Sequence, residues 1–522
     1  MRTLFLLVVA AMVSVIPLIY SCDKKNNPSN HFLYVIEENG LYGYIDSIGN
    51  RQIEPQYLYA QLFTDDRALV VVDTIYSERV DSVSFKIYGE NIEKEPCLIA
   101  RYGYIDTHGK FVISPNLYTS FFIKKEEVGK LNFKLIGWFA KLAFSSKRAL
   151  CQDSLTWKYG YIDEEGNSVI PAIYESGRPF FQGRAVVLKQ TSKSIGPNKM
   201  KGQYGIIDVN NKIIAKFEYY NITNYSSGRT IARKWEEIKN EDSQKMLVKN
   251  EDGEYDIEQL CLNGGWYDIT LMLDRKGNVV DSLDSNRTYF GFSDGICIAS
   301  NTWLRMINHV DCYEFIDTLG NTIKFMDGIS EEQANELFRS GQIFSVVPDD
   351  AIIMDCNRFV DGLAGITMNN EVWVFVDKHL LIHGKGMEDT YDFIGTFSNK
   401  LAPVKKDGKW GYVNAALRKI IPCKYDSCDV NVGFLGKVYN FQGDSTISMY
   451  INRKDSIVWS YCESSGYNNN YDNRYSKKNV TEYGKWVYQE PNNKNTIIYL
   501  IVSGAIIVVI SFITIIIRRK GK

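Results

Sequence analysis

The sequence has few of the residues that most often build metal sites, and it has no excess of positive charge. Only 5 of its 522 residues are histidine, which disfavours a histidine-rich metal site, and only 12 are proline. The formal net charge is −2 and the pI is about 6.3, so no basic field would hold a phosphate backbone. No CxxC pair and no phosphate-binding loop is present. We therefore expect no nucleic-acid partner, no metal and no cofactor.

The residues that are abundant favour a globular β protein. Hydrophobic residues make up 45% of the chain and charged residues 23%, and there are 34 tyrosines and 26 phenylalanines. Aromatic side chains of this kind suit half-buried pleated sheets. Ten cysteines are present, and several, such as Cys297 in "GICIAS", stand in apolar runs typical of buried thiols. Disulfides remain open, because sequence alone cannot pair the cysteines.

The two ends of the chain predict membrane attachment. Residues 1–22, "MRTLFLLVVAAMVSVIPLIYSC", have the layout of a secretory signal. The closing "IYSC" resembles a bacterial lipoprotein box, which makes Cys22 a candidate for lipidation; an uncleaved anchor is the alternative. Residues 496–517 carry no charge and are long enough to cross a bilayer. The basic tail 518–522 would stay in the cytoplasm and place the rest outside, although a cleaved sorting tag has a similar pattern.

One short pattern recurs along the chain with a turn residue at its centre. It reads "GYIDSIGN", "GYIDTHGK" and "GYIDEEGN" in the first copies and "GYVNAALR" in a late one. The turn positions are Asp46, Asp106, Asp163, Asp208, Asp274, Asp317, Asp377, Asn414 and Asn452. The shortest intervals indicate a basic unit of about 38 residues, and the longer ones indicate insertions.

Each position of the pattern has a physical reason. Tyr159 and Tyr161 lie two apart and so face the same side of a strand, while Gly160 leaves room for close approach on the other side. Asp163 opens a turn and Gly166 closes it. We expect Pro171 to end the pairing of the returning strand, because proline cannot donate a hydrogen bond. The repeat positions are Tyr42, Gly43 and Asp46; Tyr102, Gly103 and Asp106; Tyr159, Gly160, Asp163 and Gly166; Tyr204, Gly205 and Asp208; and Trp410 and Gly411.

The pattern resembles the WG (KWG) repeat family, whose hallmark is an aromatic–glycine pair followed by a turn with aspartate and glycine. "KWGYVN" at 409–414 is the closest match, and the resemblance covers roughly residues 34–460. It implies a repeat protein of the bacterial envelope. Three or four strands per unit favour an all-β propeller-like array of seven or eight blades, with the terminal partial units sharing one blade; an open β-solenoid is the alternative.

The proposed organisation has six parts. A short linker, 23–33, precedes the WG-repeat β domain at 34–462, and the transmembrane helix at 496–517 and its tail follow an Asn/Tyr-rich stalk at 463–495. Insertions are expected near 122–144, 234–261 and 324–358. The first and the last of these contain helical patterns, including a helix over 330–341 that Ser330 would cap.

No catalytic constellation stands out. The turn role explains all the repeated aspartates, since Asn414 and Asn452 fill it equally well, and we assign no catalytic, cofactor or metal residue. The first aromatics of the repeats could line a groove for a sugar or a partner, although packing between units explains them more simply. We expect a membrane-tethered, extracytoplasmic (periplasmic), non-catalytic binding or scaffold module for an envelope protein or polysaccharide. The alternative is a glycan hydrolase on the same scaffold.

Overall fold

A computed structural model gives the fold of the repeat region. It describes residues 32–79, 95–122, 139–196, 200–237, 266–301, 313–324, 343–347, 353–368, 372–384, 390–429 and 433–464, with the isolated positions 330, 332, 333, 336 and 339. Cys22, the stalk from residue 465 onward, the predicted membrane helix 496–517 and most of the predicted insertions lie outside these residues. Within the described part no helix is long and apolar enough to cross a membrane.

The described residues form nine antiparallel units, one for each turn Asp or Asn. Unit 1 contains β1 (Tyr34–Glu38), β2 (Leu41–Ile45) and β3 (Arg51–Tyr57). Unit 2 contains β4 (Tyr59–Ala60), β5 (Ala68–Arg79), β6 (Glu95–Ile105) and β7 (Phe111–Phe122). Unit 3 contains β8 (Ala149–Gln152), β9 (Tyr159–Ile162) and β10 (Ser168–Tyr174). Unit 4 contains β11 (Ser176–Gly177), β12 (Arg184–Ile195), β13 (Met200–Asp208) and β14 (Ile213–Tyr219). Unit 5 contains β15 (Asn221–Ile222), β16 (Arg229–Glu237), β17 (Trp266–Asp274) and β18 (Val279–Leu283). Unit 6 contains β19 (Arg287–Ser293), β20 (Ile296–Asn301) and β21 (Tyr313–Ile316).

Units 7 to 9 follow the same plan. Unit 7 contains β22 (Ile343–Val346), β23 (Asp355–Cys356), β24 (Leu363–Thr367), β25 (Trp373–Asp377) and β26 (Leu381–His383). Unit 8 contains β27 (Phe393–Ile394), β28 (Leu401–Lys406), β29 (Lys409–Asn414) and β30 (Lys419–Tyr425). Unit 9 contains β31 (Ser427–Cys428), β32 (Gly436–Gln442), β33 (Ser445–Ile451) and β34 (Ile457–Ser464). The nine units make eight sheets, because β7 of unit 2 pairs with β8 of unit 3. Unit 7 carries β22 as an additional edge strand beside β26.

Each sheet is covered on both faces by its neighbours, which explains why its central strands are apolar at consecutive positions. In β5 of unit 2, Ala68 and Val70 belong to the buried cluster shared with unit 1, whereas Leu69 and Val71 belong to the cluster shared with unit 3. Successive strand residues point to opposite faces. Alternation of apolar and polar residues is therefore replaced by a continuous apolar run.

The order of these interfaces closes on itself. Buried clusters join unit 1 to 2, 2 to 3 and 4, 4 to 5, 5 to 6, 6 to 7, 7 to 8 and 8 to 9. A last cluster contains Tyr34 and Ile36 of unit 1 together with Tyr450 of unit 9. The Tyr450 hydroxyl donates to the carbonyl of Val35 at 2.7 Å, and the N–H of Phe434 donates to the Tyr34 hydroxyl at 2.8 Å.

The first and last units each keep their own strands, so the expectation that terminal partial units share one blade is wrong. The sheet of unit 1 consists of β1, β2 and β3, and that of unit 9 consists of β31 to β34. The degraded copies around Asp317, Asp377 and Asn452 each fold into a unit of their own, so the nine turn positions give nine units in eight sheets. Closure therefore depends on face-to-face packing of unit 9 on unit 1.

The glycine of each aromatic–glycine pair lies beneath a bulge in the neighbouring strand. In unit 3 the pairs Tyr159–Tyr174 and Tyr161–Ile170 leave residues 171–173 opposite Gly160 alone. A Cβ on Gly160 would stand 2.4 Å from the Ile170 carbonyl oxygen. The same register shift recurs in units 1, 2, 4 and 8, at Gly43, Gly103, Gly205 and Gly411.

This bulge corrects the prediction that Pro171 ends the returning strand. β10 continues from Ser168 to Tyr174, and pairing resumes at Tyr174 beyond the proline. Pro171 occupies the bulge, where no ladder hydrogen bond is required of it, so proline is compatible with the strand. The sequence signal was interpreted correctly as a missing donor but incorrectly as a strand end.

The strand order gives every unit two different edges. The two-residue turn before the second strand and the Asp or Asn turn after the third strand lie together, because Ala68 at the start of β5 pairs with Ile105 at the end of β6. We call this the turn edge. We call the opposite edge of the units the insertion edge. It carries the connections between the second and third strands and the end of each fourth strand. The segments 80–94, 123–138 and 238–265 all start from it.

We predict that Gly160→Ala destabilises the protein more than Gly183→Ala does. The first substitution drives a Cβ into the backbone of the bulge, which should cost about 1–3 kcal/mol of unfolding free energy. Gly183 has φ +73° but open space around its Cβ position, so its replacement should cost only about 1 kcal/mol for the left-handed backbone. Denaturant unfolding of both variants measures the difference. Equal losses would mean that the bulge is not tightly packed on Gly160.

Candidate interaction face

The nine turn residues form hydrogen bonds within their own loops. In every unit the side-chain Oδ1 accepts the N–H groups two and four residues further on; Asp163, for example, accepts from Glu165 at 3.1 Å and Asn167 at 2.8 Å. Asn414 and Asn452 accept in the same way. The remaining carboxylates with this pattern are Asp46, Asp106, Asp208, Asp274, Asp317 and Asp377. These oxygens are thus occupied by the backbone.

The electrostatics of the Asp163 turn agree with that role. Desolvation acts to raise the pKa of Asp163, but hydrogen bonds from the side chain and N–H of Asn167 and from the N–H of Glu165 outweigh it, so the pKa is lowered. The turn therefore gains stability from the ionised form at neutral pH, and this is lost as the pH falls through the lowered pKa. Among the described residues no group of three His, Cys, Asp or Glu side chains could hold a metal ion.

The first aromatics of the repeats lie between packed units to different extents. Tyr102 and Tyr159 are buried, whereas Tyr42, Tyr204 and Trp410 are half-buried. The Tyr42 ring contacts Tyr59 of the next unit at 5.7 Å between centroids, and Trp410 contacts Phe393 at 5.6 Å. The structure therefore does not bring them together as one exposed aromatic groove.

The second aromatic of the repeat makes an inter-unit bond that the sequence analysis missed. The hydroxyl of Tyr161 donates to the carbonyl of Arg178 in unit 4 at 2.8 Å, and the ring is fully buried. Equivalent bonds run from Tyr44 to Gln61, from Tyr104 to Leu142 and from Tyr412 to Asp429. Where this position is Ile206, Met272, Phe315 or Phe375, the side chain is apolar and buried. The sequence signal that could have revealed this bond is a tyrosine, in place of a purely apolar residue, at this position.

An arginine after the two-residue turn forms a second link between units. Its Nε donates to the carbonyl of the residue following the turn aspartate in the next unit. The distances are 3.4 Å from Arg67 to Glu164 and from Arg148 to Val209, 3.0 Å from Arg184 to Arg275 and 2.9 Å from Arg229 to Thr318. The strings "DDRA", "SKRA", "QGRA" and "SGRT" carried this signal. The turn edge is thus tied together from unit 2 to unit 6.

The string Gly291–Gly295, "GFSDG", has the spacing of a nucleophile elbow, although the sequence analysis named no such motif. In the structure it joins the antiparallel strands β19 and β20, with Asp294 and Gly295 in the left-handed region at φ 48° and 83°. The Ser293 hydroxyl donates to the carbonyl of Phe359 in unit 7 at 2.6 Å. An elbow needs a strand-to-helix turn that exposes its serine, so this string belongs to the hairpins of the turn edge.

Six cysteines of the described residues are free thiols. Cys151, Cys297, Cys356, Cys423, Cys428 and Cys462 form no disulfide. Cys297 is buried, and burial raises the pKa of its thiol to about 12, so it is an inert member of the core.

The insertion edge differs from the turn edge in the length of its connections. Its connections range from the two-residue turn of Asp407 and Gly408 to the 28 residues 238–265. Leu155 and Phe441 lie at this edge and are 88% and 56% exposed. Exposed apolar side chains beside connections of variable length are a common arrangement for binding surfaces on a repeat scaffold. The insertion edge is therefore the candidate interaction face.

The comparisons with known proteins fit an all-β repeat protein built of small antiparallel sheets. A family model described as "WG containing repeat" matches residues 42–73, 102–122, 159–190, 204–234, 390–410 and 410–432. The chain is a WG-repeat protein. No curated protein matches it.

Three solved structures illustrate the range of structural similarity. BamB from Moraxella catarrhalis shares 11% identity over 62% of this chain and 87% of its own, with a TM-score of 0.26. The computationally designed Ika8 protein shares 9% over 61% and 85%, with a TM-score of 0.30. The WD40 β-propeller domain of Doa1 shares 10% over 56% and 86%, with a TM-score of 0.23. Similarity at this level carries no functional information.

We predict that Tyr161→Phe destabilises the protein and that Tyr102→Phe does not. Removing the Tyr161 hydroxyl leaves the buried Arg178 carbonyl without this donor and should cost about 1 kcal/mol of unfolding free energy. The Tyr102 hydroxyl is equally buried but has no hydrogen-bond partner among the described residues, so its removal should be neutral or stabilising. Equilibrium unfolding of the two variants tests this. A larger loss for Tyr102→Phe would contradict the assigned inter-unit bond.

Proposed function

We propose that the nine units form a closed β-propeller that acts as a non-catalytic binding or scaffold module for an envelope protein or polysaccharide. The observation that carries this proposal is the contrast between the two edges. The turn edge has short turns and uses its carboxylates, hydroxyls and arginines to hold neighbouring units together, whereas the insertion edge carries the long connections beside the exposed side chains of Leu155 and Phe441. The packing of unit 9 on unit 1 supports closure, which leaves no terminal sheet face exposed.

The proposal includes a place for the protein. We infer that residues 1–22 direct export, with Cys22 lipidated, and that residues 496–517 anchor the chain in the bacterial cell membrane with the tail 518–522 in the cytoplasm. Residue 464 at the end of β34 lies on the insertion edge, so the stalk starts there. The partner would then be met outside the membrane.

The proposal predicts that partners are captured from one edge only. A benzophenone amino acid placed at Phe441 or at Leu155 should give photo-crosslinks to an envelope protein or glycan in intact cells, because both positions lie on the insertion edge. The same probe at Ile48 or Leu319, which are 72% and 64% exposed in turns of the turn edge, is the matched control. Mass spectrometry of the purified adducts identifies what was captured.

The two pairs of positions have similar exposure and differ in their edge, so the comparison isolates the edge. Crosslinks of equal yield from Ile48 and Leu319 would contradict an interaction face at the insertion edge. Absence of any reproducible adduct from all four positions would count against a binding module as a whole.

A further inference from the structure

We propose that the cleft between units 3 and 4 at the insertion edge binds a carboxylated saccharide, such as a uronic-acid residue of a glycan. This deepens the proposed binding function, on which it rests. The cleft has a volume of about 360 Å³ and is lined by Lys158, Ile173, Glu175, Lys189, Gln190 and Thr191. That volume is within the range of small-molecule sites and gives room for a mono- or disaccharide.

The charges of the cleft are arranged asymmetrically. The Glu175 side chain is 4% exposed, and its Oε1 lies 3.5 Å from the Lys158 Nζ, whose side chain is 36% exposed. The attraction of the Lys158 ammonium group partly offsets the desolvation cost of burying the Glu175 carboxylate. Lys189 is exposed, and its Nζ lies 5.7 Å from the centroid of the Phe217 ring. In the described part of the chain Lys189 forms no ion pair, so the cleft as a whole keeps a positive charge for an anionic ligand.

The equivalent residues of units 8 and 9 show which feature is particular to this cleft. Lys409 and Asp426 occupy the positions of Lys158 and Glu175 and form the same kind of pair, at 2.5 Å. The register of the short strands, Ser176 with Leu188 and Ser427 with Tyr439, places Asn440 where unit 4 has Lys189. Units 8 and 9 therefore have the lysine–carboxylate pair without the additional lysine.

The chemistry of the lining matches an acidic sugar better than a purely apolar ligand. The Lys189 ammonium can pair with a carboxylate, and Gln190, which also lines the cleft, carries an amide that can exchange hydrogen bonds with sugar hydroxyls. Ile173 is 39% exposed and offers an apolar surface to the C–H face of a pyranose ring. A glycosidase of the usual type needs two carboxyl groups flanking the bond. The cleft offers only Glu175, which Lys158 already engages, so the site fits binding and not cleavage.

The test uses the full-length protein in detergent and glucuronic acid as the probe, with glucose as the uncharged control. Titration calorimetry and saturation-transfer NMR should show that glucuronic acid binds at least tenfold more tightly than glucose. Lys189→Met keeps most of the side-chain volume and should weaken glucuronic acid binding by about tenfold or more. Lys409→Met, at the position equivalent to Lys158 in unit 8, is the matched control and should leave binding unchanged.

Three results would overturn the inference: no binding of glucuronic acid, equal affinity for glucose, or equal losses from Lys189→Met and Lys409→Met. None of these results would affect the capture of a protein partner by photo-crosslinking at Phe441 or Leu155. Failure of the saccharide site is thereby distinguished from failure of the proposed binding function.

Discussion

The structure depends on one constraint, which is that every sheet must be covered on both faces by its neighbours. Most units have only three or four strands of their own, and a single repeat unit of this kind cannot bury its apolar face without a neighbour stacked on it. The central strands are consequently apolar on both sides, and a terminal sheet with an open face would expose this surface. Packing of Tyr34 and Ile36 against Tyr450 removes that exposure. The repeat, the closed order of units and the location of free surface all follow from the same requirement.

The small parts of the repeat make this close packing feasible. Gly160 and its counterparts admit a backbone bulge at distances that any Cβ would prevent. Buried tyrosine hydroxyls and the arginines of the turn edge then join one unit to the next with hydrogen bonds that each need only a single side chain. Because the aspartates close their own loops, their repetition reflects loop geometry and gives no sign of substrate chemistry. The proposed function places binding at the other edge.

The sequence predicted the local features of this fold better than the long-range ones. The positions of the turn residues along the chain define all nine units, since a side-chain acceptor and the backbone it closes are only a few residues apart. The bonds of Tyr161 and Arg67 were not predicted, because their partners are carbonyl groups that any residue carries and only folding brings near. The interpretation of Pro171 was wrong for a related reason: a bulge depends on the strand opposite. Likewise, Lys189 and Asn440 differ in the sequence, but only the fold shows that they lie beside the pairs Lys158–Glu175 and Lys409–Asp426.

The contact between unit 9 and unit 1 tests the account most directly, because an open array of the same units would keep every other interface. The N–H of Asn39 donates to the Tyr461 hydroxyl at 3.1 Å, and Trp459 Nε1 donates to Glu38 at 3.2 Å. A photoreactive amino acid at residue 39 of the monomeric protein should therefore crosslink within the same chain to the peptide that contains Tyr461. A monomer that yields no such crosslink, with residue 39 labelling only nearby sequence or solvent, would contradict closure and with it the constraint that both faces of every sheet are covered.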